Sequence, residues 1–222
     1  MRYLLSLAIA CGFLSTTAFA AEEPQDYRRP ADIKQYLEQL DSDERNQHQK
    51  PRQVIEALNL KPGLAVADLG SGSGYFTRRF IEAVTETGKV YAVDVEPEML
   101  KYAEESVVHM HRSYTAEFIL ARPDNPKLPY ESIDLLFVCN TYHHLKERTK
   151  YFSDTKSSLK PEGRVAVIDF YHDERSGELG FPKRHLVPRE TVIAELTEAG
   201  YKLVREHHFL PKQYFLEFTP SQ

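Results

Sequence analysis

Cysteine is nearly absent: the 222 residues contain two, Cys11 and Cys139, and there is no tryptophan. Cys11 lies in an N-terminal stretch that reads as removable, so no disulfide is expected and the fold must rest on its core. Basic charge is also short, with 28 Lys and Arg against 33 Asp and Glu and a net charge of −5. That balance argues against nucleic-acid binding, which needs a basic face to displace counterions. Beyond the N-terminus no apolar run approaches the roughly 20 residues that span a bilayer. Internal repeats and low-complexity tracts are missing too. What remains is 41% hydrophobic and 27% charged, ordinary globular usage in a chain long enough to bury a substantial core.

The N-terminus has its own pattern. Met1-Arg2 is a short basic start, Tyr3 to Leu14 is apolar, and Ala18-Phe19-Ala20 has the small residues of a peptidase site. This predicts a secretory signal peptide over 1–20 and an exported mature chain, periplasmic or secreted, from Ala21. The alternative is an uncleaved N-terminal membrane anchor. Residues 21–62 then read as a helical extension or lid, and 63–222 as the main domain.

Ile33, Tyr36, Leu37 and Leu40 fall on one helical face, and Pro51 opens a second helix carrying Val54, Ile55 and Leu58. From Ala65 strands and helices alternate. Strands are expected at 65–69, 90–93, 117–120, 133–139 and 165–170, with helices at about 75–84, 97–111, 146–159 and 189–199. Pro161-Glu162-Gly163 is read as a helix stop. Two last strands, 201–209 and 214–218, are joined by too few residues for a crossover and must be antiparallel. The pattern predicts an α/β fold with a parallel sheet covered on both faces.

Chemistry concentrates in Asp68-Leu69-Gly70-Ser71-Gly72-Ser73-Gly74, between the first strand and its helix. Glycines at alternate positions let a ligand approach the backbone, and the helix behind offers free N–H groups to negative charge. Twenty residues after Gly74, Asp94 ends the second strand, where a carboxylate can accept from both hydroxyls of a ribose. A nicotinamide dinucleotide turn wants glycine where Tyr75 stands. Asp68 would also oppose a pyrophosphate but suits an ammonium. A ligand with an adenosine ribose, no phosphate and a cationic amino-acid end fits better, which is S-adenosylmethionine.

With these residues, and with Val93-Asp94-Val95-Glu96-Pro97, Asp134-Leu135-Leu136-Phe137-Val138 and Leu159-Lys160-Pro161-Glu162-Gly163-Arg164, the chain resembles class I S-adenosylmethionine-dependent methyltransferases, near the quinone-biosynthesis C-methyltransferases. The resemblance runs from about Lys50 to Phe218. It implies a Rossmann-like seven-stranded, mostly parallel sheet of order 3-2-1-4-5-7-6, the last strand antiparallel, with helices on both faces. It also implies that Asp68, Gly70, Ser71, Gly72 and Gly74 hold the methionine end. Asp94 would take the ribose, Val95 and Glu96 would flank the adenine with Asp124 near its amino group, and Asn140 would line the methyl-transfer site.

After the fourth strand come Tyr142, His143 and His144. Either histidine is a candidate base for an acceptor that carries a proton, and Tyr142 a candidate wall of the acceptor site. Asp169, His172 and Asp173 read as a capping, solvated loop rather than metal ligands, and no metal is expected. Lys50 could meet the cofactor carboxylate, and Tyr36, Tyr151, Tyr171 and Phe181 could line an apolar pocket. The 171–188 loop is long enough to cover a substrate. The expected function is methyl transfer to a small-molecule acceptor, of which an aromatic or lipid-like one is an example. Its rivals are a non-catalytic nucleoside-binding module and, less favoured, an NAD-dependent oxidoreductase.

Overall fold

The computed structural model describes residues 32–179 and 182–221. The expected signal peptide, Cys11 and Phe181 lie outside them.

Seven strands form one sheet: β1 (Ala65–Leu69), β2 (Lys89–Asp94), β3 (Ala116–Leu120), β4 (Ile133–Cys139), β5 (Leu159–Phe170), β6 (Tyr201–His207) and β7 (Gln213–Pro220). Their order is β3-β2-β1-β4-β5-β7-β6, as expected, with β5–β7 and β6–β7 antiparallel and the other pairs parallel. Strand order reverses between β1 and β4. In open α/β sheets the crevice at such a reversal, beyond the carboxyl ends of the strands, is where ligands bind.

The sheet is buried on both sides because its central strands are apolar on both. In β4, Leu135 and Phe137 face a core with Val54, Leu58, Phe76 and Phe80, whereas Leu136 and Val138 face one with Phe152, Val165 and Leu216. The first core is covered by α3 (Pro51–Leu58) and α4 (Tyr75–Val84), the second by α6 (Arg148–Thr155) and α7 (Arg189–Glu198). Phe137 meets Phe76 and Phe80 edge-on, with ring centroids 4.7 and 5.0 Å away. Truncating such a ring costs about 3–5 kcal/mol, from lost transfer energy and the cavity left behind.

Four elements depart from the sequence expectations. The helix expected at 146–159 is shorter, because Lys156–Ser158 tighten into a 3₁₀ turn and β5 already begins at Leu159. Pro161-Glu162-Gly163 is therefore a bulge inside β5 rather than a helix stop: pairing jumps from Ile133↔Leu159 to Leu135↔Arg164, and 160–163 stand against Asp134 alone. A Cβ on Gly163 would lie 2.9 Å from the carbonyl of Ile133, so only glycine fits there. The helix α5 (Pro97–Val107) stops short of His111. An unexpected helix, α2 (Asp43–Gln49), follows α1 (Ile33–Leu40). Its sequence DERNQHQ shows no apolar stripe because it packs through polar side chains. Tyr75 Oη donates to Asn46 at 2.6 Å, and Asn140 donates to Gln49 at 3.3 Å.

Candidate active site

A cavity of about 510 Å³ opens at the switch between β1 and β4. Its floor is the glycine turn after β1. Gly70 and Gly72 have φ of +74° and +53°, and a Cβ on Gly70 would come within 2.2 Å of the Thr141 side chain. Ser71 belongs to this lining, and its buried hydroxyl has no protein partner. An orphaned polar atom and a floor without Cβ atoms are what a close-fitting polar ligand requires.

Asp94 stands on the next wall. Gly72 N–H donates to one oxygen at 2.9 Å and Glu96 N–H to the other at 3.0 Å, which fixes the carboxylate and leaves each oxygen a further lone pair. Burial raises its pKa, and the backbone N–H groups of Glu96, Gly72 and Val95 partly offset that. Val93, Val95, Met99, Ala121 and Pro123 continue the wall as an apolar slot. The end of β4 supplies Cys139, Asn140, Thr141 and His144. Asn140 adopts a left-handed φ of +56°, and its side chain is held by Gln213, which donates to Oδ1 at 2.5 Å, and by its own donation to Gln49. The roof is Tyr36, Leu40 and Arg45, from α1 and α2.

Several expected site residues lie elsewhere. Asp68 is buried beneath the turn, accepting from Thr77 Oγ1 at 2.6 Å; burial lifts its pKa to about 6, against the bond from Thr77 and the charge of Arg45. It acts on the cavity as a charge below the floor. Gly74 packs α4 against α5, where a Cβ would lie 3.1 Å from that of Ala103. Glu96 is buried and does not line the cavity. Asp124 is exposed and pairs with Arg122 at 3.3 Å; Arg122 and Pro123 take the place expected for it.

The three candidates after β4 separate sharply. Tyr142 is fully buried and donates to Glu195 at 2.7 Å, so it is core rather than an acceptor-site wall. His143 turns inward, its Nδ1 2.8 Å from both oxygens of the fully buried Asp169. Asp169 is therefore the anchor of a histidine, not part of a solvated loop. Only His144 opens onto the cavity. His144 is exposed there, and desolvation by the surrounding protein, with His143 beside it, pushes its pKa down to about 4.

Lys50 does not reach the cavity, because its Nζ donates to the carbonyl of Phe209 at 2.8 Å. Tyr36 and Tyr151 line the cavity, whereas Tyr171 lies under Arg175, whose guanidinium carbon is 3.6 Å from the ring centroid. Sequence reasoning missed Arg45 altogether, since nothing in the polar run of α2 singles it out.

Comparison with known proteins agrees with this geometry. Residues 66–163 match the family model described as a methyltransferase domain. The ubiquinone/menaquinone biosynthesis C-methyltransferase of Pseudoalteromonas translucida is 26% identical over 158 residues, covering 70% of this chain and 63% of that protein. Its counterpart from Escherichia fergusonii is 29% identical over 119 residues, 54% of this chain and 47% of that protein. The chain thus spans less than two thirds of the length of these curated relatives. An S-adenosylmethionine-dependent methyltransferase from Aquifex aeolicus is 28% identical and superposes with a TM-score of 0.77, covering 85% of this chain and 98% of that structure.

Fold and floor together are those of a Rossmann-like domain, within which residues 66–163 match the methyltransferase domain. Over most of its length the chain is similar to an S-adenosylmethionine-dependent methyltransferase in sequence and in fold.

Proposed function

We propose that the protein methylates a small-molecule acceptor that seats beside the end of β4. The observation that carries this reading is the continuity of the cavity, which runs without partition from Ser71 and Asp94 to Asn140 and His144. Its volume suits the cofactor together with a compact acceptor rather than a polymer segment. The cofactor supplies an electrophilic methyl group whose departure leaves a neutral thioether.

The chain's own contribution is placement and protection. Asp94 receives the ribose hydroxyls, and Ser71 with the Gly70–Gly72 backbone lies along the methionine portion. Asn140, locked by Gln49 and Gln213, orients the acceptor, and holding reactants in line supplies most of what such a transfer needs. Tyr36, Leu40, Leu145 and Tyr151 exclude water and favour an aromatic or lipid-like acceptor. His144 is uncharged at neutral pH and can accept a hydrogen bond from an acceptor that carries a proton, but a pKa lowered to about 4 makes it a weak base. His143, clamped by Asp169, positions it from behind; the two imidazole centroids are 4.1 Å apart.

The test is transfer of labelled methyl from S-adenosylmethionine to a panel of phenols, quinols and short-chain lipids, alongside calorimetric titration of S-adenosylhomocysteine. Binding with transfer to at least one compound is expected. Binding without transfer to any acceptor class would instead favour a nucleoside-binding module, and absence of binding to folded protein would overturn the reading.

A further inference from the structure

The roof of the cavity carries a cation whose position is unusual for a surface helix. Arg45, in the middle of α2, turns inward and lines the cavity. Its guanidinium carbon lies 4.0 Å from the centroid of the Tyr75 ring, one N–H group donates to the Leu40 carbonyl at 2.8 Å, and the Cys139 thiol is in hydrogen-bonding reach. The Tyr75 ring is held from its other contacts by Arg79, also 4.0 Å from the centroid, and by Asn46 at its hydroxyl. Arg45 is thus aimed by a stack and a backbone bond at the space above the glycine turn. A guanidinium has five donors in a planar fork, and these two contacts use a minority of them.

Charge decides what that fork can meet. The cofactor's amino-acid end brings an ammonium and a carboxylate. Asp68, buried beneath the floor and within reach of the Arg45 charge, suits the ammonium, while Arg45 itself lines the cavity from the roof. An ammonium close to Arg45 would be repelled, and the carboxylate is the group of the right sign and shape. Lys50, the cation that the sequence offered for this task, is engaged with Phe209.

We propose that Arg45 reads the α-carboxylate of the cofactor and makes the site selective for nucleosides that carry one. This rests on the cofactor assignment and adds a specificity-determining residue to it. Because Arg45 belongs to the roof, recognition of the carboxylate also draws α2 onto the floor. A purely structural Arg45, serving only the end of α1 and the Tyr75 stack, would show no such preference among ligands.

The test compares S-adenosylhomocysteine with its decarboxylated analogue, which keeps the ammonium, by calorimetry on the full chain and on Arg45→Met and Arg45→Lys. The wild type should bind the decarboxylated compound more weakly by on the order of 10- to 100-fold, the range of a lost hydrogen bond to a charged partner. Arg45→Met should erase most of that difference by weakening S-adenosylhomocysteine alone, and Arg45→Lys should keep part of it. Equal affinities in the wild type, or equal weakening of both ligands in either variant, would overturn the proposal. Should Arg45→Met not fold, the wild-type ratio and Arg45→Lys still decide. Failure of the wild type to bind either compound would strike the cofactor assignment itself, a distinguishable result.

Discussion

The two halves of the cavity are built by opposite means. The half proposed for the nucleoside is made of backbone and of neighbours in sequence: a turn of seven residues and a carboxylate twenty-odd positions on, fixed by the N–H groups of Gly72 and Glu96. The half proposed for the acceptor is made of side chains that meet only in the folded molecule. Asn140 is set by Gln49 and Gln213, and His144 by His143 and Asp169. Backbone construction ties a function to a recognisable string of residues. Side-chain construction distributes it over α2, β4, β5 and β7, where no single string announces it.

Substitutions on the two sides should therefore fail differently. The largest effect is expected from Gly70→Val. A side chain there collides with Thr141 and demands a left-handed backbone from a β-branched residue, so binding of S-adenosylhomocysteine should vanish in calorimetry. Next comes Asp169→Leu, which strips the buried partner from His143 and should cost about 3–5 kcal/mol in denaturant unfolding. Where enough folded protein survives, its S-adenosylhomocysteine affinity should stay near that of the wild type. Asp94→Asn should give the reverse: near-normal unfolding with nucleoside affinity reduced roughly 10- to 100-fold, as charge-assisted bonds become neutral ones. If both variants lost binding and stability in parallel, the division of the cavity would be wrong.

Two smaller effects follow from protonation, and they have opposite signs. His144 has its pKa lowered from the usual imidazole value to about 4, so between about pH 4 and 6.5 the unfolded chain binds more protons and stability falls as pH falls. His144→Gln should flatten that slope in urea titrations run across the interval. Asp68 has its pKa raised from 3.8 to about 6, so there the folded chain holds more protons and stability falls as pH rises through the same range. Asp68→Asn should remove this second slope and raise stability at pH 7. A single variant that flattened both slopes would show that the two groups titrate as one unit.

The same contrast explains what could be read from the chain before its structure. Sheet order, the glycine turn and Asp94 were legible because strands alternate with helices and the turn is contiguous. Gly74 and Asp68 belong to that legible motif but support it from behind, a distinction that depends on Ala103 and Thr77, residues no linear pattern connects to them. In Tyr142-His143-His144 the three candidates could not be separated, because a 3₁₀ turn sends consecutive side chains in different directions and only one reaches the cavity. Arg45 was invisible for a simpler reason. A helix that packs through Asn46, Gln49 and an inward arginine looks, as a string of letters, like one that packs against nothing.

Asp41, the residue that caps α1, accepts from Ser73 and Arg78 at 2.7 Å each and from Tyr102 at 3.2 Å. Seen as a matter of time rather than of shape, this fastening makes the roof a clock. On the proposed function, a spent nucleoside beneath Tyr36 and Leu40 would leave by lifting that roof, and one carboxylate's grip on three partners would set how long each cycle waits before the next.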